Sequence, residues 1–131
     1  MTSDTMDDTG KFIIRVILGL LILLHGIAKL TGGVSGISGM LQGIGLPGFI
    51  AWGVYLGEVL GPILLITGFY ARLGAALIVV NMLFAILLAH RPELWSLSPQ
   101  GGWKLELQGM FLFTALGLAL TGPGRWSING R

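Results

Sequence analysis

The chain has 131 residues, 53% of them hydrophobic and only 11% charged, and its mean hydropathy is +0.84. Soluble domains carry about 25% charged residues, so the chain reads as one small integral membrane domain with no soluble domain beside it. The formal charge of +2 gives no basis for a nucleic-acid partner, and the lack of cysteine excludes dithiol redox chemistry, thiolate metal sites, iron–sulfur clusters and covalently attached haem in this chain.

Residues 1–10, with Asp4, Asp7 and Asp8, are expected to form a disordered acidic tail; they have neither the basic start nor the small-residue cleavage site of a signal peptide. The membrane domain is expected over residues 11–122. Its first span is 12–30, with Arg15 near the start and His25 and Lys29 near the end. His25 and Lys29 are four apart and share a helix face. Residues 31–48 carry no charge and seven glycines, while Val34, Ile37, Leu41 and Ile44 recur at helical spacing. This pattern predicts a short interfacial or re-entrant helix closing at Gly45 and Pro47.

The second span, 49–69, is 21 residues long, enough to cross a bilayer, and carries one acid, Glu58, near its middle. An ionisable group at that depth costs about 3 kcal/mol or more unless it faces the bundle interior and finds a partner. Gly53, Gly57 and Gly61 repeat every fourth residue, which predicts a bare face for close helix contact, inside one chain or between copies in a homo-oligomer. Pro62 removes a backbone donor just past the acid and is expected to bend the helix.

The turn at Tyr70 to Arg72 is so short that the second and third spans must be antiparallel neighbours. The third span, 73–89, carries Asn81 at mid-depth and ends at His90-Arg91-Pro92, since the residue before proline resists the helical region. A loop with Trp95 and Pro99 leads to the fourth span, 103–120. Glu106 and Gln108 lie just inside it, two apart, so only one of them easily faces a given neighbour. Residues 123–131 form a short C-terminal tail. The expected fold class is therefore all-α, an integral membrane four-helix bundle with a short interfacial or re-entrant segment between the first two spans.

With four spans both termini share one side, and that side holds Lys11, Arg15, Arg72, Arg125 and Arg131 against Lys29, Arg91 and Lys104 on the other. The excess of basic residues places both termini in the cytoplasm. At 1.5 Å per residue from the cytoplasmic ends, Asn81 lies about 14 Å deep, Glu58 about 17 Å, His25 and Gln108 about 20 Å, and Lys29, His90 and Glu106 roughly 24 to 27 Å. Polar groups of independent helices thus converge at neighbouring depths. His25, Lys29, Glu58, Asn81, His90, Glu106 and Gln108 are the candidates for a ligand site or proton pathway. A cluster of Glu58 with His25 and Lys29 between the first two spans is its expected centre. The alternative is a polar network that only fixes helix packing. His25 and His90 as axial haem ligands would lie about 7 Å apart in depth, which disfavours haem. No ligand spacing supports a metal.

Several motifs together carry a resemblance. Arg15 is followed by Leu-His25-Gly-x-x-Lys29, and Gly-Leu-Pro47 precedes the second span. Gly57-Glu58-x-x-Gly61 and Gly68-x-x-x-Arg72 follow, then His90, and finally Gly122-Pro-Gly-Arg-Trp-Ser127. In this set the chain resembles the DoxX family of small four-span membrane proteins, from about Lys11 to Asn129. The family is similar to subunits of thiosulfate:quinone oxidoreductase and terminal quinol oxidase. The resemblance implies a subunit or partner of a quinone-linked oxidoreductase complex in a bacterial inner membrane. Such a subunit would hold no redox centre of its own but could bind a quinone, and its partners would be other membrane or membrane-associated oxidoreductase subunits. The rival readings are a small transporter coupled through Glu58 and a structural anchor for a soluble enzyme.

The charge bias predicts that reporter fusions at Ile44 and Leu97 lie outside the cytoplasm and those at Arg72 and Arg131 inside. A cytoplasmic signal from the Leu97 fusion would contradict this topology.

Overall fold

The computed structural model describes residues 3–33, 35–89 and 91–129. Helix α1 runs Ser3–Gly32, α2 Ser35–Gly43, α3 Gly61–Thr67, α4 Ala71–Ala89 and α5 Glu106–Thr121. A 3-10 turn over Gly48–Gly53 and a π-helical turn over Leu56–Leu60 lead into α3, and together these three pieces make the second span. The four spans close a ring in which α1 packs on the second span, the second span on α4, α4 on α5, and α5 back on α1. The short helix α2 lies across the 3-10 turn and one end of α4. Among the described residues the extended structure is limited to a single antiparallel bridge, Leu97 with Trp103.

The chain is helical from Ser3 rather than disordered up to Gly10. The acids expected to be a solvated tail instead support a helix start. Asp4 lies in the first turn, where negative charge complements the helix dipole. Asp7 pairs with Lys11 one turn on at 2.9 Å, and Asp8 accepts the Arg125 backbone N–H at 3.0 Å. At the other end of the molecule α5 is shorter than the sequence suggests, 16 residues or about 24 Å. Trp103 is drawn back to the loop, where it bridges to Leu97 and its indole N–H donates to Leu94 O at 2.8 Å, and residues 104–105 turn into the helix.

The core between the spans is built from Leu18 and Ile22 of α1, Leu65 of α3, Ala75, Ile78 and Met82 of α4, and Phe111, Ala115 and Leu118 of α5. The outside is covered with exposed large apolar side chains, among them Leu24, Phe49, Val80, Phe113 and Leu120. Apolar cover this extensive suits acyl chains and not water, and three helical segments are long and apolar enough to cross a membrane. The protein is an all-helical membrane bundle.

Small residues set how close the spans come. A side chain at Gly57 would collide with Asn81 of α4, and one at Gly61 would meet Gly74 O at 3.0 Å. Two glycines of α1 do the same from the other flank. Gly19 sits against Pro62 and Ile66, and Gly26 against the Glu58 carbonyl. Gly53 departs from the expected packing face: it is exposed and nothing lies within 4 Å of the position its Cβ would take. The four-residue spacing keeps residues on one face only in an α-helix. Here a 3-10 turn ends at Gly53 and a π turn begins three residues later, so Gly53 is rotated off the stripe.

The π turn itself has a local cause. The Gly61 N–H reaches five residues back to Leu56 O, and Pro62 then offers no N–H to the turn below it. The Glu58 carbonyl is covered by the bare Cα of Gly26 instead, the sort of Cα–H to carbonyl contact that recurs between close helices.

A C-terminal clasp ties the opposite end together. Arg15, 1% exposed, donates through Nη1 to Pro123 O at 2.9 Å and through Nη2 to Trp126 O at 2.6 Å. Asn129 Oδ1 accepts the Tyr70 N–H at 3.0 Å, across the turn that joins α3 to α4. Residues 123–129 are therefore bound against the bundle.

Replacing Gly26 or Gly57 by leucine should lower stability in detergent by about 1–3 kcal/mol, the scale of overpacking. Replacing Gly53 by leucine should leave the melting temperature unchanged. Equal losses at Gly53 and Gly57 would contradict this packing.

Candidate functional site: an ion pair between two cavities

Glu58 lies at the centre of the π turn, 5% exposed, with its side chain turned into the bundle. Lys29, near the end of α1, donates from Nζ to Glu58 Oε1 at 2.7 Å. Asn81, halfway along α4, donates from Nδ2 to Glu58 Oε2 at 3.1 Å. Both carboxylate oxygens are thus held, one by a charge and one by a neutral amide. Three spans contribute one group each. The extra residue of the π turn allows Glu58 to point at α1 and α4 together, a use to which such bulges are often put at functional sites.

Lys29 is itself fixed. The Tyr55 hydroxyl donates to the Lys29 carbonyl at 3.1 Å, and the aromatic edge of Trp52 meets the Tyr55 ring at 5.7 Å. Tyr55 escaped the sequence reading. The available signal was a hydroxyl one turn from Glu58 in an apolar span, where it needs an acceptor.

The trio separates two cavities. The larger, about 430 Å³, lies between α2, the 3-10 and π turns and α4. Its walls are Met40, Leu41, Val54, Leu77, Phe84 and other apolar side chains, and its polar groups come from Lys29, Glu58 and Asn81. The smaller, about 130 Å³, lies towards α5 and is lined by His25, Lys29, Glu58, Gln108, Met82 and Phe111. Lys29 and Glu58 border both.

The seven candidate residues therefore divide. Lys29, Glu58 and Asn81 are in direct contact. His25 and Gln108 stand on the wall of the small cavity, and the His25 ring meets Phe111 edge-on at 5.9 Å. His25 thus faces the ion pair across the cavity, and no hydrogen bond joins it to Glu58 among the described residues. Glu106 is exposed in the first turn of α5, folded over Gly102 and away from both cavities. This follows from its being two residues from Gln108 on a helix. His90 lies outside the described residues.

Fold and site together define a helical membrane protein in which a buried glutamate pairs with a half-buried lysine beneath an apolar cavity. The chain matches the DoxX family model over residues 10–91 and belongs to that family. The matched region contains Lys29, Glu58 and Asn81, whereas Gln108 and the C-terminal residues of the clasp, 123–129, lie beyond it. The chain is 30% identical over 115 residues to a Bacillus subtilis (strain 168) protein named "Putative oxidoreductase CatD", covering 88% of this chain and 81% of that one. It is 30% identical over 125 residues to "Inner membrane protein YqjF" of Escherichia coli (strain K12), covering 95% and 92%. No solved structure matches it significantly.

Lys29→Ala should destabilise the protein by about 3–5 kcal/mol, because it strands a buried carboxylate. Glu58→Gln should cost less, since its amide oxygen still accepts from Lys29 and its NH2 can donate to the Asn81 side-chain oxygen once that amide turns over. Denaturation in detergent checks the order, and a Glu58→Gln variant less stable than Lys29→Ala would reverse it.

Proposed function

We propose that this protein is the membrane subunit of a quinone-linked oxidoreductase of the bacterial inner membrane, with the electron-carrying centre held by a partner subunit. The observation that carries the reading is the 430 Å³ apolar cavity with Lys29, Glu58 and Asn81 among its lining residues. Ligand pockets are commonly of this size, mostly apolar with a few placed polar groups. A quinone has the matching chemistry, an apolar tail and a ring with carbonyl acceptors. One relative is named as an oxidoreductase and another as an inner membrane protein.

A bound quinone would supply two-electron, two-proton carrier chemistry; the chain's residues would supply orientation and protons. The Lys29 ammonium has three donors and gives one to Glu58, and the Asn81 amide has two and gives one. The remaining donors are available to a carbonyl acceptor in the cavity. Behind them the small cavity, at about 130 Å³, has room for a few waters. His25 would pass protons through it to Glu58, and the Gln108 amide would orient the waters between them by hydrogen bonding.

Extraction in mild detergent, followed by lipid analysis and an absorbance spectrum, tests the reading. Quinone should co-purify with the wild type, and Asn81→Leu should hold it roughly tenfold more weakly, the scale of one lost hydrogen bond. Wild-type protein that carries no quinone and takes up none when it is added would refute the proposal.

A further inference from the structure

We infer that the large cavity is filled sideways from the bilayer, through a portal that Gly53 keeps open. The occupant named here, a long-tailed quinone, rests on the proposed function; the portal rests on the walls of the cavity. Those walls divide by exposure. Ala51, Gly57, Glu58 and Asn81 are buried at the back. Met40, Leu56, Val80 and Phe84 also line the cavity, yet they are 41%, 52%, 53% and 51% exposed, so they form its rim. Every rim residue is apolar.

Depth decides what the rim meets. Val80 is about 14 Å along α4 from its start, and Gly53 about 10 Å along the 3-10 turn from Gly48. Both fall inside a hydrocarbon layer about 30 Å thick. The mouth therefore opens onto acyl chains. A ligand dissolved in the membrane reaches the polar trio without crossing water, and its tail remains among the lipids.

Gly53 lines this cavity and is the residue that closer packing does not explain. Gly57 and Gly61 are pressed against α4, but the space beside Gly53 is open. Its backbone does not require glycine either, since it is absent from the residues with positive φ. What its missing side chain provides is clearance at the mouth. The neighbouring Trp52 and Tyr55 rings hold this lip in place, and Tyr55 ties it to the end of α1 that carries Lys29. Lip and polar trio are thus positioned as one unit.

The cysteine-free chain permits a direct test. A nitroxide attached to Gly53→Cys, in the full protein reconstituted into phosphatidylethanolamine–phosphatidylglycerol vesicles, should collide more with dissolved oxygen than with a water-soluble nickel chelate. A decyl-tailed benzoquinone dissolved in the same vesicles then serves as probe, its uptake followed by quenching of tryptophan fluorescence. Gly53→Phe should keep the wild-type melting temperature and slow uptake about tenfold or more, an effect on association. Adding Phe84→Ala, which opens the opposite rim, should restore the rate. Greater collision with nickel than with oxygen overturns the portal, as does wild-type uptake by a normally melting Gly53→Phe protein. The nitroxide measurement decides the matter even if the phenylalanine variant does not fold. Hydrocarbon-like collisions with no uptake by the wild type would refute the quinone and leave the portal standing.

Discussion

A carboxylate at the middle of a membrane span is the constraint on which this structure depends. Left without partners, Glu58 would be strongly unfavourable in hydrocarbon. The fold meets this with one group from each neighbouring span, Lys29 at 2.7 Å and Asn81 at 3.1 Å. Bringing them there requires close helices, and the glycines at 26 and 57 permit that approach on either flank. It also requires the acid to face both neighbours, which the π turn accomplishes. Pro62, the π turn, Gly26 and the ion pair are thus parts of one arrangement.

The same arrangement creates the space around it. A straight, fully α-helical second span would pack evenly along α4. The 3-10 and π turns instead draw the chain aside and leave the cavity that α2 partly covers. Because the ion pair forms the partition between this cavity and the smaller one, anything that binds on one side acts directly on groups that face the other. This links the stability of the bundle to its proposed chemistry: the residues that hold Glu58 are the ones proposed to donate to a ligand. The C-terminal clasp made by Arg15 closes the far end and takes no part in either cavity.

The membrane class, the helical bundle and the pairing of Glu58 with Lys29 were legible in the sequence. Hydropathy over whole spans is a strong signal, and a lone acid at mid-depth demands a cation at a similar level. Helix rise alone set Asn81, Glu58, His25 and Gln108 at neighbouring depths. What was not legible is rotation about the helix axis. A four-residue period puts Gly53 on the packing face, and the 3-10 and π turns break that period. The hydrogen-bond register of those turns leaves no trace in composition. His25 was expected on the carboxylate and lies across a cavity from it, because shared depth does not fix lateral distance. The acidic start reads as a tail, since its charges resemble a solvated surface; its partners, Lys11 and the Arg125 backbone, become visible only in the folded structure.

The central claim is that Lys29 and Glu58 stabilise one another inside the bilayer. A double-mutant cycle measures this most directly, with Lys29→Met, Glu58→Leu and the pair compared for unfolding free energy in lipid-like detergent. The account predicts that each single variant is destabilised and that the double variant recovers much of the loss, with a coupling of more than about 1 kcal/mol. Losses that simply add would contradict it, because two groups whose effects are independent do not neutralise each other's burial.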